Sequence, residues 1–306
     1  MATVSQPVLQ TAHKVSILGA YGFWTARRTP RNQVEDAFNR AGIGTSAMPD
    51  IDHYDSLVEA GKKIVDKLNL KRRNTPVKFD SLSRTSIGVE FWRLHKADKH
   101  NTREPLFSIG ITEQNEAFLV SHNAENSTVD AFAKTGVCDQ IIDGLYQQEQ
   151  LLMSARDVTE SLRSVVVQHR GMSMKESGGV YFIPECGLQS VDTLFSAMNQ
   201  CGNRCTLLQH DLSDNEELSK QVLETTNENI VEAARRMNEV MEELRDSDKK
   251  PRANGLKSRL EEASRLTDLL SYYESFFATN LDESRKALEQ TLSLIAEMQI
   301  RYGDTD

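Results

Sequence analysis

The residues best suited to chemistry lie in Cys201-Gly-Asn-Arg-Cys205, with His210 downstream and Cys186 upstream. Thiolates and an imidazole together suggest zinc, which needs three or four such ligands converging on a tetrahedron. The spacing Cys-x3-Cys-x4-His is unlike the usual Cys-x2-Cys knuckle, and Cys205 falls in a stretch that reads as a strand. Free cysteines more often act as small buried apolar residues. We therefore assign no metal ligand and keep Cys201, Cys205 and His210 as weak candidates. Gly178-Gly179 lacks the Lys-Ser/Thr of a phosphate loop and opens a strand where that loop opens a helix. Gly19-Ala-Tyr-Gly22 falls short of a dinucleotide fingerprint. His169-Arg170 with Glu176, and His210-Asp211, are titratable pairs with no nucleophile at a usable spacing. A solvated helix end accounts for them, and the helix dipole favours Arg170 there. No catalytic residue and no cofactor follow from these patterns.

The remaining chemistry is electrostatic. Arg27, Arg28 and Arg31, then Lys62, Lys63, Lys67, Lys71, Arg72 and Arg73, cluster near Trp24, Phe79, Phe91 and Trp92. Cations interleaved with aromatics are the footprint of a nucleic-acid surface, although a solvated helix face followed by a basic loop gives the same pattern. Lys249-Lys250-Pro-Arg252 is a second basic spot, in the turn of a long helical hairpin.

That hairpin, Asp214 to Tyr302, dominates the last third of the chain. Leu223, Ile230, Met237 and Leu244 recur every seven residues, with Thr226, Ala233 and Val240 in the second seam position. Ser213 and Glu216 have capping-box spacing. Ala263, Leu270 and Phe277, then Leu281, Leu288, Ile295 and Tyr302, line the second helix, with a stutter between Phe277 and Leu281. The two helices run about 33 and 47 residues, roughly 50 and 70 Å at 1.5 Å per residue. The second should overhang the first by about 20 Å. The stripes fit both the core of a helical bundle and an extended arm used for assembly.

Further upstream, Lys14–Ala20 reads as a strand leading into a turn at Gly22-Phe23-Trp24. Asn32–Ala41 and His53–Leu68 read as helices, the second with Leu57, Ala60, Gly61, Ile64, Val65 and Leu68 on one face. Lys71 to Pro76 reads as a basic loop. Thr85–His95, Leu106–Thr112 and Ala117–Ser121 alternate with period two and predict a three-stranded meander, with a polar loop over Lys96–Pro105. From Ser127 a helical pattern runs to Gly171, either as one helix or as two joined near Ser154, with Gly171 as the C-terminal glycine. Val180–Ile183, Leu188–Gln200 and Cys205–Gln209 then predict strand, helix and strand, forming a two-stranded sheet at the base of the hairpin.

Composition limits the function classes. The 306 residues carry a net charge of −9, 39% hydrophobic and 26% charged residues, and four cysteines. Residues 1–125 are net +3 and residues 126–306 net −12, so the C-terminal half is ill suited to lie along a polyanion. No apolar run reaches the length of a membrane span. Val15–Leu18 is too short for a signal-peptide core, so no signal peptide is expected. Four cysteines in this length are no disulfide framework, which fits a reducing cytoplasm.

A long helix, then Ser177-Gly-Gly-Val-Tyr-Phe-Ile-Pro184, then a helix, a strand and a terminal helical pair resembles an uncharacterised family of bacterial and phage or mobile-element proteins, classed only as a domain of unknown function. The resemblance implies no activity and no catalytic residue. What it implies is a bacterial cytoplasmic setting.

The expected fold is α+β and helix-dominated. Residues 1–125 form an α+β domain with an antiparallel meander, 126–213 a long helix and a strand–helix–strand element, and 214–306 a coiled-coil-like hairpin. The expected function is non-enzymatic: a cytoplasmic assembly or adaptor protein that self-associates or docks on a larger complex, through Leu223, Ile230, Met237, Leu244, Leu270, Phe277 and Leu288. The alternative is a nucleic-acid-associated protein using Arg27, Arg28, Lys62, Lys63, Lys71, Arg72 and Arg73. A zinc protein or an enzyme ranks third.

Overall fold

The computed structural model describes residues 18–71, 75–82, 87–96, 101–122, 127–175, 179–211, 216–246 and 253–302. The fold is α+β and helix-dominated, with small antiparallel sheets. It comprises two compact units. One holds residues 25–162 and 197–203, and the other holds the remainder.

The first unit is built on a four-stranded sheet of order β3-β4-β5-β6: β3 Val77–Ser81, β4 Gly88–Lys96, β5 Asn101–Ile111 and β6 Ala117–Ser121. All three pairings are antiparallel. The meander is as expected, with two additions. β3 lies beyond the basic loop, where only Val77 and Phe79 supply an apolar alternation. The supposed polar loop is largely strand, because β4 and β5 stay paired out to Lys96 opposite Asn101. Helices α2, His53–Lys67, and α4, Cys138–Gln150, supply the apolar cover, with Leu57, Ile64, Ile142 and Tyr146 buried against Phe91, Phe107 and Ile109. Phe91 and Phe107 stack with centroids 4.8 Å apart. Gly61 on α2 makes room for this pair, since a Cβ there would sit 2.1 Å from Phe91 Cζ. The open edge of β6 is closed by α4, whose Asp143 accepts the Ala117 N–H at 3.0 Å and Asp139 the Leu119 N–H at 3.4 Å. Such capping blunts an edge that would otherwise template pairing.

The helical pattern from Ser127 to Gly171 resolves into three helices: α3, Ser127–Ala133, then α4, then α5, Ala155–Gln168. One break is the expected one, at Ser154. The other is at Gly136, in a turn where glycine's backbone entropy disfavours helix. α5 ends with Arg170 in the left-handed region (φ 61°) and the Gly171 N–H on the Val166 carbonyl at 2.8 Å. Arg170, and not Gly171, thus takes the position expected of the glycine. Gly171 is required one residue later, where a Cβ would lie 2.9 Å from the Phe182 carbonyl oxygen.

The second unit has a sheet of order β10-β1-β9-β8: β10 Arg204–Asp211, β1 Leu18–Thr25, β9 Tyr181–Pro184 and β8 Met172–Ser173. β1 pairs antiparallel with β9, from Gly19 opposite Pro184 to Gly22 opposite Tyr181. Two expectations are corrected here. Gly22-Phe23-Trp24 is strand, its glycine needed because a Cβ would meet Ile183 Cδ1 at 2.6 Å. β9 and β10 are not neighbours, because β1 lies between them.

The C-terminal segment is three helices: α7 Glu216–Asp246, α8 Ala253–Phe277 and α9 Asp282–Tyr302. The supposed stutter is a helix break. Ala278 turns left-handed (φ 50°), the Thr279 N–H closes on the Glu274 carbonyl, and Glu274 Oε1 accepts the Leu281 N–H at 2.9 Å. The chain folds back there, so no overhang remains. α9 runs parallel to α7: Ser284 Oγ bonds Asn227 Oδ1, Thr291 Oγ1 reaches the Ala234 carbonyl and Arg301 Nη1 the Arg245 carbonyl. Ile230, Ala234, Met237, Met241, Leu256, Ala263, Leu266, Leu270, Leu288, Ile295 and Met298 form one core. The second seam on α7 is therefore Ala234 and Met241, one residue past the expected Ala233 and Val240. The buried positions advance by four, three and four, close to the 3.6 period of a straight helix. The turn at 247–252 and the cap at Ser213 lie outside the described residues.

Candidate functional site

A cleft of about 430 Å³ opens in the first unit. Its walls come from distant parts of the sequence: Arg28 and Arg31, the start of α2, Phe79 of β3, the end of α4, and the start of α5. Each wall has a local cause. Asp52 caps α2, accepting the Asp55 N–H at 3.1 Å. Ser154 and Asp157 form a reciprocal cap on α5, with Ser154 N–H and Oγ on Asp157 Oδ2 and the Asp157 N–H on Ser154 Oγ, at 2.8–3.1 Å. Acidic caps are what a helix N-terminus attracts, so two helix starts facing one cleft bring their carboxylates together. Burial raises the Asp55 pKa, and the negative charges of Asp52 and Asp157 raise it further.

The basic side is held by a short ladder. β2, Thr29–Pro30, pairs with β7, Leu152–Met153, and the Arg31 N–H bonds the Leu151 carbonyl at 2.8 Å. Buried Asn203 fixes the preceding turn, taking the Arg27 N–H on Oδ1 and donating to Thr29 Oγ1. At the end of α4, Glu149 has a side chain with 0% exposure and pairs with both Arg28 and Lys63, the latter at 2.6 Å. Arg31 Nη1 donates to the Pro49 carbonyl at 3.0 Å, while its Nε–H is buried with no hydrogen-bond partner. One turn before Glu149, Tyr146 donates to Asn115 Oδ1 at 3.0 Å and lies 2.6 Å from His53 Nδ1, so that nitrogen carries the proton. Burial first, then Asp143, pushes the Tyr146 hydroxyl up to about 12, so it stays protonated in this role.

A shallower depression adjoins the cleft, lined by Asp50, Ile51, Asp52, His53, Tyr54 and Ile87. Ile51 and Asp52 belong to both. Ile51, Phe79, Leu82 and Ile87 are large apolar side chains left exposed on this unit.

Of the candidates read from the sequence, Arg28, Arg31, Lys62 and Phe79 line the cleft; most of the others fall elsewhere or are already engaged. Among the described residues, no group of three or more His, Cys, Asp and Glu side chains is placed to hold a metal ion. Cys201 is half-buried, its thiol 3.7 Å from the Gln33 carbonyl. Cys205 is buried in β10, where burial pushes its thiol up to about 12. The His210 side chain lies outside the described residues. Of the basic cluster, Arg28 and Lys63 are taken by Glu149, Lys62 pairs with Glu59 at 2.6 Å, and Lys71 pairs with Asp66 at 2.5 Å. Arg27 is exposed. Arg72 and Arg73 lie outside the described residues, as do Glu176 and Lys249 to Arg252. Among the aromatics, Phe91 is core and Trp92 lies under Arg103, 4.0 Å from its ring centroid; Phe79 remains at the surface. Arg170 lies over the Tyr272 ring at 4.6 Å. Ile230, Met237, Leu270 and Leu288 are buried in the α7–α9 core, with Leu223 and Leu244 packed at its edge. Phe277 belongs instead to an aromatic group with Tyr273 and Phe276.

Sequence reasoning placed Arg31 in the basic cluster but missed Asp52, Asp55, Glu149 and Asp157. One signal was available for Glu149. Cys138, Ile142, Tyr146 and Glu149 are the buried face of α4, and a carboxylate in such a stripe needs a partner or a task.

No helix among the described residues is long and apolar enough to cross a membrane. No curated protein and no solved structure matches the chain. A family profile described as "Family of unknown function (DUF6744)" matches residues 18–304. That match spans nearly the whole sequence, and the chain belongs to the DUF6744 family.

Proposed function

We propose that this protein is a non-catalytic assembly or adaptor protein, working by docking on a protein partner or on a second copy of itself. The observation that carries this reading is the surface of the first unit, where Ile51, Phe79 and Ile87 lie exposed beside a charged cleft. Apolar side chains rimmed by polar groups mark interaction surfaces. The reading moves the docking surface away from the α7–α9 stripe, which closes on itself. The same pairings weigh against the nucleic-acid alternative, because a cation already on a carboxylate must give up that partner before it neutralises a phosphate. The setting we propose is the reducing cytoplasm of a bacterium, with phage or mobile-element genes nearby. All four cysteines are free thiols, which agrees with that compartment.

The test is photo-crosslinking from a benzoylphenylalanine placed at Phe79 or Ile87, with Val137 as an exposed control, followed by light scattering on the purified chain. Protein adducts from Phe79 and Ile87 that are absent at Val137 are expected, and light scattering then separates self-association from a foreign partner. Nucleic-acid adducts, or no adduct beside a monomeric mass, would sink the proposal.

A further inference from the structure

We propose that the cleft between the starts of α2 and α5 binds a ligand presenting an alkylammonium or guanidinium group together with a carboxylate or carbonyl oxygen, the chemistry of a lysine or arginine, free or within a polypeptide. This rests on the reading of the cleft as part of the working surface. The argument turns on which charged groups the fold has already used. On the acidic wall, Asp52 and Asp157 are committed to their helix caps, and Glu59 to Lys62. The Asp55 carboxylate has no such bond, and although Arg156 acts on it in the opposite sense, it faces the like charges of Asp52, Asp157 and Glu59, which a further cation would relieve. On the basic wall, Arg28 is committed to Glu149. Arg31 spends Nη1 on Pro49 but leaves its Nε–H buried and unpaired. A buried donor left unmade is costly, and a ligand oxygen accepting from it would remove that cost. The acidic wall therefore keeps Asp55 without a hydrogen bond, while the other side keeps the Arg31 Nε–H and the Gln150 Nε2 amide, which also lines the cleft, so the two sides have opposite demands. Ile51, Val58 and Leu152 also line the cleft and offer apolar surface to an aliphatic stem. The volume of about 430 Å³ falls within the range of about 300–1,000 Å³ typical of ligand sites.

The experiment is calorimetric titration of the full chain with four probes: L-arginine, Nα-acetyl-L-arginine amide, agmatine and acetate. One of the first two should bind, with agmatine and acetate weaker by about tenfold or more, since each satisfies one wall alone. Preference for L-arginine identifies a free amino acid as the ligand class, and preference for the acetyl amide identifies a residue within a chain. Asp55→Asn and Arg31→Lys should each weaken binding by about tenfold. Arg31→Lys disturbs the Pro49 contact, so Asp55→Asn, which removes no hydrogen bond of the fold, is the decisive variant, with its melting curve as the folding control. Agmatine binding as tightly as arginine, binding indifferent to Asp55→Asn, or no binding of any probe overturns the proposal. Crosslinks from Phe79 or Ile87 with no binding of these probes would leave the docking surface standing and remove only this ligand class.

Discussion

The α7–α9 helices and the cleft of the first unit use their side chains in opposite ways. In the helices the long apolar stripes satisfy one another within the chain. Hydrogen bonds from α9 reach α7 at separations of 57, 57 and 56 residues, so the register holds along the shared length. In the cleft, charged residues from four segments meet with most, but not all, of their valences used. The comparison teaches that a strong apolar periodicity is poor evidence for an interface, because a chain that folds back consumes it. Unspent polar groups in a concavity are better evidence, because burial makes leaving them unpaired costly.

The sharpest way to break the comparison is Ile230→Asp. Ile230 is buried in the α7–α9 core. Losing an Ile from a core costs about 1.5–3 kcal/mol, and an unpaired carboxylate in its place adds a desolvation penalty, taking the total beyond about 4 kcal/mol. The helices should lose cooperative melting. Leu260→Asp, at an exposed position on α8, should change stability by no more than about 0.5 kcal/mol. Equal melting temperatures for the two variants would mean that the stripe is not a closed core.

A smaller effect is expected at Gly61→Ala. Helix propensity alone favours the change by about 1 kcal/mol. Against it stands a Cβ at 2.1 Å from Phe91 Cζ, on a ring held by its stack with Phe107. Overpacking of this kind costs about 1–3 kcal/mol, so the net change should be destabilising. Calorimetric melting checks it, and Phe91→Leu in the same chain should recover part of the loss. A stabilised Gly61→Ala would show that the ring can move aside, and with it the seat of α2 that presents Asp52 and Asp55.

Periodicity made much of this fold legible. α1 (Arg31–Arg40), α2 and β6 lie within a residue or two of where local pattern puts them, because each buries one face at its own period. What pattern could not show is pairing over long separations. β1 joins β9 across some 160 residues, and nothing in Gly19–Gly22 announces that partner. The break at Ala278 was hidden for a related reason: Phe277 and Leu281 keep a tolerable helical spacing, and the turn depends on Glu274 reaching the Leu281 N–H. The cleft was the least visible. Its caps at Asp52 and Ser154 are local signals, but that both open onto one space with Arg31 and Glu149 is a property of the packing of α2, α4 and the β2–β7 ladder.

The smallest effect bears most directly on the cleft. The pKa of Asp55 is raised, by burial first and by Asp52, Asp157 and Glu59 as well, with Arg156 acting in the opposite sense. A raised folded-state pKa means the folded chain holds that proton more tightly than the unfolded one. The favourable contribution is therefore complete below the unfolded value of about 3.9 and is lost as pH rises through the higher folded value. At neutral pH the ionised Asp55 works against folding, and Asp55→Asn should stabilise the protein. The side chain is exposed, so solvent screening keeps the gain within about 0.5 kcal/mol. Melting curves of both chains at pH 7 and pH 3 check the sign. The Asn variant should melt higher at pH 7, and the difference should vanish at pH 3. A variant that melts lower at pH 7 would mean that the attraction of Arg156 outweighs the three carboxylates. The acidic wall would then hold no unmet demand for a cation.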